Sequence, residues 1–381
     1  MVDVAIIGGG LAGSVLATTL FRQNIDVALI ESKEVYPECF KAEKLEPDQW
    51  RLLEKHELLN IVRPVCEQID SVQLASAVRV HGSISIRQYG YLYHNLVNAI
   101  RNNFAATLKV HWVQATGLEI SDEYQTIRLA NNTSIKSRLV IVATGGYGCL
   151  HKQLGVQKRM VSRRHSFNFG FYLSKPSHQH DFDSLTYHGT ELRSGADYLA
   201  LFRIPGAMRA NLFTYWIPGD DQVKLFSKYP VNTLSKIMPR LSSVLGEFDI
   251  SGAIERFSID LFTLDRATTP GAVFVGDAFQ SVCPATGTGL SKVLTDVDIR
   301  ADRVLSDWLT MPGMGTDKIQ SFYDDHRKAD QDSRSLKKAL KRRRIAIDYS
   351  DFRFRLESIR QQWQMAREFK RAAKNAQPAA E

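Results

Sequence analysis

The apolar positions of the chain follow two regimes. Val2 to Ile7 is an almost unbroken apolar run that ends in three glycines, the pattern of a buried strand entering a tight turn. Leu11 to Gln23, rich in Ala, Leu, Val and Thr, has the character of a helix lying on a sheet, and Asp26 to Ile30 is a second short strand. A βαβ unit therefore opens the chain. Asp48 to Leu59 and Tyr91 to Asn102 have the spacing of amphipathic helices, and Leu108 to Ala143 is rich in strand formers around a turn at Asn131-Asn132. From Val156 to Ala267 the regime changes to short aromatic strands between polar turns: Phe167 to Leu173, Tyr198 to Ile204 and Met208 to Ile217. That alternation predicts a mostly antiparallel sheet. Val273 to Val275 is again an apolar strand, followed by a second glycine-rich turn and a helix through Leu294 to Leu309.

Composition narrows the class without naming it. With 381 residues, 44% hydrophobic and 24% charged, the chain has globular proportions, which excludes wholesale disorder and collagen-like architectures. Cys39, Cys66, Cys149 and Cys283 lie far apart with no C-x-x-C pair, so neither a disulfide framework nor a zinc ribbon is expected. No run reaches the roughly 18 apolar residues of a membrane span. The glycines begin at Gly8, too early for a secretory leader, and a cytoplasmic protein is expected. The net charge of +8 suggests an acidic partner until it is divided. From Arg334 to Glu381 there are 14 Lys/Arg and 5 Asp/Glu, which leaves 35 basic against 36 acidic residues elsewhere. The body is neutral, and nucleic-acid binding by the whole chain is not expected.

Gly8-Gly9-Gly10-Leu11-Ala12-Gly13 satisfies G-x-G-x-x-G in the required setting: after a strand, at the start of a helix, and 18 residues before Glu31 at the end of the next strand. Gly8 makes the turn, Gly10 admits a diphosphate to the backbone, and Gly13 lets helix and strand approach. Leu11 and Ala12 open the helix, whose N-terminus favours negative charge. Glu31, with Ser32 beside it, is placed for an adenosine ribose. A dinucleotide is expected here, and no complete second fingerprint exists in the chain.

A second element joins Val273-Phe274-Val275-Gly276-Asp277-Ala278 to Pro284-Ala285-Thr286-Gly287-Thr288-Gly289-Leu290. Here the chain resembles the p-hydroxybenzoate hydroxylase-type FAD monooxygenases, a flavoprotein superfamily that includes the flavin-dependent halogenases. The resemblance implies that Asp277 holds the ribityl chain of FAD, and that Pro284 and Gly287 to Leu290 face the flavin ring. It also places Lys41 and Lys44 where relatives carry an FAD-binding arginine. Tyr89 stands at the arginine of an R-x-x-L-x-x-x-L segment, with Arg87 as the nearby cation. One departure is marked. Where the hydroxylases read A-D-G-x-x-S, this chain has Ala143-Thr144-Gly145-Gly146-Tyr147-Gly148, so Thr144 replaces the aspartate and Gly148 the serine.

The resemblance implies an α/β chain. Residues 1–72, 90–155 and 268–332 would form a Rossmann-like FAD-binding domain, 73–89 with 156–267 a mostly antiparallel substrate domain, and 333–381 a basic helical segment. Arg209, Asn211, Phe213, Tyr215 and Ile217 alternate along one strand face, which either packs its own core or roofs a flavin. On the second reading Arg209, Phe213 and Tyr215 are substrate candidates. Ser162 to His165 and Tyr187-His188 are further pocket candidates. His178, His180, Asp181 and Asp183 read as a solvated polar loop, and no metal is expected. In the tail, Phe352, Leu356, Ile359, Trp363, Ala366 and Phe369 mark one helical stripe among basic residues. A helix docked on this chain or on a second copy, a membrane surface and an acidic carrier protein all suit it.

The function implied is hydroxylation of an aromatic or related unsaturated small molecule through a flavin hydroperoxide, with NAD(P)H as donor. The alternatives are a halogenase fed by a partner flavin reductase, and a reductase or dehydrogenase of the same fold. Phe213-Thr214-Tyr215-Trp216-Ile217-Pro218 resembles the halogenase W-x-W-x-I-P motif, without its two tryptophans. No catalytic side chain is assigned.

Overall fold

The computed structural model describes residues 1–41, 43–76, 80–148, 150–188, 194–265, 267–303 and 308–347, and the stripe from Phe352 to Phe369 lies outside them. The fold is α/β, built on two sheets. The first has seven strands, in the order Lys109–Trp112, Val27–Glu31, Val2–Ile7, Ser134–Val142, Gln125–Leu129 and Ala115–Glu119, with Ala272–Phe274 also paired to Ser134–Val142. The first four run parallel. Ser134–Val142 then branches: its first half pairs antiparallel with Gln125–Leu129, its second half parallel with Ala272–Phe274. Parallel strands covered on both faces need apolar residues on both, so Val4, Ala5 and Ile6 are all fully buried and no alternation marks them.

The second sheet has eight strands, in the order Ile250–Asp265, Gln157–Leu173, Ala207–Thr214, Ala196–Ile204, Ser184–Tyr187, Cys66–Ala75, Val80–Tyr91 and Lys44–Leu45. All pairs are antiparallel except Ser184–Tyr187 with Cys66–Ala75. Phe169, Phe171 and Leu212 from this sheet pack with Phe226, Leu234 and Leu241 from three short helices, Asp221–Lys228, Pro230–Ile237 and Leu241–Leu245. The sequence pattern leaves these helices unassigned. Pro230 and Pro239 cut them to lengths too short to display a helical period. The helix expected over Asp48 to Leu59 begins at Pro47, behind a capping box of Glu46 and Gln49, and ends at Lys55.

Two sets of buried charges brace the fold. Arg209, fully buried in the second sheet, donates from Nε and Nη2 to Glu43 at 2.9 and 3.0 Å and also pairs with Glu255. The second set involves the helix His326–Ile347, so the boundary expected at residue 333 falls inside one continuous helix. At its start, Lys328 bonds Asp296 at 3.0 Å and Asp332 at 3.1 Å, while Lys292 lies 3.7 Å from Asp296 and 3.4 Å from Asp332. Near its end, Arg342 Nε and Nη2 each donate to Asp197 at 2.8 Å. Part of the basic run from Lys337 to Arg344 is thus spent inside the protein. Among the described residues no helix is long and apolar enough to cross a membrane.

Removing one member of a buried ion pair strands the other. Arg209→Leu should therefore cost about 3–5 kcal/mol in denaturant unfolding, whereas Arg87→Leu, at an exposed pair with Asp70, should change stability by under about 1 kcal/mol. Equal losses in the two variants would contradict the clamp.

Candidate active site

The strand Val2–Ile7 delivers the chain into Gly8, where φ is +104° and an added Cβ would stand 2.6 Å from the Ala143 carbonyl oxygen. An added Cβ at Gly13 would stand 1.8 Å from Gly8 O, so the helix Leu11–Arg22 lies directly on the turn. Gly10 caps that helix without a side-chain hydrogen bond, which leaves the positive end of the dipole to whatever the turn holds. Tyr93, buried beside it, receives the Leu11 N–H. The Glu31 carboxylate accepts from Gly9 N–H at 2.8 Å and from Ser32 Oγ at 3.0 Å, so it stands against the turn as a ribose acceptor should.

Arg101, which no motif in the sequence marks, completes this half of the site. It comes from the helix Tyr93–Arg101, and its side chain is 2% exposed. Nε donates to Gly9 O at 2.9 Å, Nη1 to Lys33 O and Glu34 O at 2.7 and 2.9 Å, and Nη2 lies 3.3 Å from Glu31. The rings of Tyr36 and Trp112 flank the guanidinium at 5.2 and 5.6 Å. Only its place in the last turn of a helix expected from the pattern hints at it, 92 residues from its partner.

The second half is the turn after Ala272–Phe274. Gly276 N–H donates to Asp296 at 2.7 Å and Gly276 O accepts from Lys292 at 2.9 Å, so the buried charges grip the peptide next to Asp277. Burial raises the Asp277 carboxyl above its usual range, opposed by Lys292 and Lys41. Pro284 to Thr286 forms a turn that ends at Gly287, with φ +66°, and the helix Gly289–Arg303 follows.

A cavity of about 980 Å³ joins these parts. It runs from Leu11, Lys41, Tyr93 and Asp277, past Pro284 and Gly287 to Leu290, to the apolar positions Ala200, Phe202, Phe213, Phe257 and Ile259 of the second sheet. That is the upper end of ordinary ligand sites. Tyr198 forms part of its wall: the hydroxyl donates to Ala285 O at 3.1 Å, the ring stacks on Phe213 at 4.5 Å, and Arg342 lies 4.7 Å from its centroid. His188 lines the same wall, and burial with Arg342 nearby pushes its pKa down to about 3, so it is neutral at pH 7.

The sequence candidates divide on this geometry. Gly8, Gly10, Leu11, Ala12, Gly13, Glu31 and Ser32 meet at the first turn. Lys41, Lys44, Asp277, Pro284, Gly287, Thr288, Gly289, Leu290 and Phe213 meet at the cavity. Lys41 Nζ donates to the Tyr36 hydroxyl at 2.8 Å, and Lys44 lies 3.8 Å from Glu46. Three candidates lie elsewhere. Arg87 is a correction: its side chain is 64% exposed and pairs with Asp70, because it falls on the outward phase of its strand. Arg209 is a second correction: Glu43 and Glu255 consume its guanidinium, and Glu43 rather than Arg209 reaches the cavity. Tyr215 is a third: it lies past the strand end, off the cavity wall, with its hydroxyl on Asp197 at 3.1 Å.

Tyr89 is stacked on Trp50 at 3.5 Å. His165 shares a hydrogen bond with Ser162 at 3.1 Å, outside the cavity. His180 contacts Lys175 O and Asp183 pairs with Arg203, and among the described residues no group of His, Cys, Asp or Glu converges as metal ligands would. Thr144 and Gly148 pack together: a Cβ added at 148 would stand 2.1 Å from Thr144 Oγ1.

The glycine cradle, the helix start without a side-chain cap, the acid at the strand end and Asp277 on the cavity wall fit an FAD molecule laid across both turns. Residues 3–168 match the family model described as lycopene cyclase protein. Squalene monooxygenase of Rattus norvegicus is 23% identical over 78% of this chain, which spans about half of that relative's length, 53%. Digeranylgeranylglycerophospholipid reductase of Methanosarcina acetivorans is 23% identical over 84% of this chain and 79% of its own.

Among solved structures, p-nitrophenol 4-monooxygenase from Pseudomonas putida superposes with a TM-score of 0.75 at 13% identity, covering 98% of this chain and 93% of that one. A probable FAD-dependent monooxygenase from Pseudomonas aeruginosa gives 0.69 at 17%, covering 93% and 98%. A flavin-dependent brominase gives 0.69 at 14%, covering 98% and 94%. The chain thus shares the fold of these solved structures and is similar in sequence to monooxygenases and to a reductase.

Proposed function

We propose that the chain is an FAD monooxygenase that inserts one oxygen atom into an aromatic or related unsaturated, mostly apolar substrate at the expense of NAD(P)H. The observation that carries this reading is the cavity, which joins the Gly287–Leu290 turn to an apolar wall of the second sheet. The balance is substrate, dioxygen, NAD(P)H and a proton to oxygenated substrate, NAD(P)⁺ and water. FAD, when bound, accepts the hydride and activates the dioxygen.

The chain's own residues bind, orient and exclude water. The N-terminus of the helix Leu11–Arg22 holds the diphosphate, and Glu31, braced by Arg101, holds the ribose. Asp277 takes the ribityl hydroxyls, and the backbone N–H groups of Gly287 to Leu290 offset negative charge at the ring. Phe202, Phe213, Tyr198 and Phe257 orient the substrate and keep water from the reacting atoms. No side-chain nucleophile is needed. A reductase of the same fold is the second reading, favoured by the Methanosarcina acetivorans relative, which this chain covers over 79% of its length.

The deciding experiment mixes the FAD-loaded protein anaerobically with NADH and then NADPH, with and without aromatic and alkene compounds. The expected result is bleaching of the flavin band, and in air one dioxygen consumed per NAD(P)H with formation of an oxygenated product. Bleaching with saturation of a double bond and no oxygen uptake would instead establish the reductase. Absence of bleaching under every condition would point to a partner flavin reductase and raise the halogenase.

Two variants test the cofactor half. Gly10→Val should abolish FAD retention, because its side chain would occupy the space of the diphosphate. Arg101→Met should raise the FAD dissociation constant by roughly 10–100-fold, the usual cost of a lost charged hydrogen-bond partner. Full flavin in the first, or an unchanged constant in the second, would refute the assignment of that residue.

A further inference from the structure

Two polar side chains on the cavity wall remain unspent. Thr186 and His188 lie two positions apart at the end of the strand Ser184–Tyr187, so both point to one face. Tyr187, between them, turns to the other face and gives its hydroxyl to Pro239 O. Thr186 and His188 both line the cavity and are half-buried, and neither side chain has a hydrogen-bond partner among the described residues. The polar groups around them are already engaged. Ser76 Oγ shares a hydrogen bond with His81 at 2.8 Å, the Tyr198 hydroxyl donates to Ala285 O, and Arg342 pairs with Asp197.

Strand pairing sets His188 in a row of rings. Phe213 stands opposite Tyr198 and stacks on it at 4.5 Å. His188 continues the row on the other side of Tyr198, with its ring 5.1 Å from the tyrosine ring and its backbone N–H on Ala75 O at 2.9 Å. The wall therefore passes from aromatic rings to an imidazole and a hydroxyl. With Arg342 nearby the imidazole stays neutral at pH 7, so it offers one N–H donor and one acceptor nitrogen. A hydroxyl group matches it whichever nitrogen carries the proton, because a hydroxyl both gives and accepts a hydrogen bond. An apolar group set there would strip the ring of water and return no bond.

We propose that His188, with Thr186 on the same face, is the recognition point for a hydroxyl group of the substrate. The preferred substrate is then an amphipathic unsaturated molecule rather than a pure hydrocarbon. Its hydroxyl end lies on His188 and its apolar body along Tyr198, Phe213 and Ala200. This inference rests on the reading of the cavity as the substrate site of an FAD enzyme, and deepens it.

The test uses the FAD-loaded protein and two probes of similar shape, 4-hexylphenol and 4-hexyltoluene, titrated while the visible flavin band is followed. His188→Phe removes both ring nitrogens at similar volume, and His188→Leu takes its place if the phenylalanine variant does not fold. The quantity read is the ratio of the two dissociation constants. In the His188 variant it should move about 10-fold against the phenol, near 1.4 kcal/mol, with FAD affinity unchanged. A ratio that keeps its wild-type value overturns the inference, even where both probes bind less tightly, because the side chain then supplies shape and not recognition. An FAD-loaded wild type that binds neither probe overturns it as well. A wild-type chain that takes up no FAD instead overturns the reading beneath it. The ratio is then measured on the apo chain by calorimetry, where a shift of about 10-fold in the variant upholds the recognition point and a constant ratio removes it.

Discussion

Four buried charges set the position of everything around the second turn. Lys292, Lys328 and Asp296 have side chains 1% exposed, and Asp332 is close behind at 12%. Each ion alone would lose several kcal/mol of hydration, so the set is tenable only as a closed group in which each charge meets its opposite. Against burial, the ammonium groups of Lys328 and Lys292 hold the Asp296 carboxyl below its usual range. Asp296 and Lys292 then spend their remaining capacity on the two ends of Gly276, which fixes the peptide preceding Asp277. Lys328 and Asp332 belong to the helix His326–Ile347, whose far end carries Arg342 onto Asp197 in the second sheet. One helix therefore sets both the turn at Asp277 and the opposite wall of the cavity.

That arrangement explains which parts of the molecule the sequence discloses. The first turn is readable because its requirements are local: a positive φ at Gly8 and a backbone contact at Gly13 admit glycine only, and the acid follows at a fixed strand-to-strand distance. The second turn is readable because it repeats a short pattern. The cavity is not, because its wall is assembled from strands far apart in the chain. The basic run from Lys337 to Arg344 looks like a solvated appendage in composition, since no local pattern reveals that Asp197 lies opposite Arg342.

Arg209 and Asn211 show the limit of alternation most clearly. Both lie on one face of one strand, as a period of two requires. The strand pattern tells which face they share and nothing of what that face meets. In the fold, Arg209 falls under the Glu43 and Glu255 carboxylates and becomes a cross-brace, whereas Asn211 opens onto the cavity. Arg101 is the converse case. It has no motif of its own, yet it joins the first turn, the segment after the second strand and Glu31 in one guanidinium.

The contact between Thr144 and Gly148 constrains how this chain can change over generations. With 2.1 Å between a Cβ at 148 and the threonine hydroxyl, serine cannot be acquired at 148 while Thr144 keeps its rotamer. The threonine hydroxyl must turn away, and its Cβ, 2.9 Å from the same point, must also give way, before any side chain is accommodated at 148. The two departures from A-D-G-x-x-S are thus coupled by direct contact. A side chain gained at 148 therefore carries with it a shift at 144, just past the end of a central strand of the first sheet.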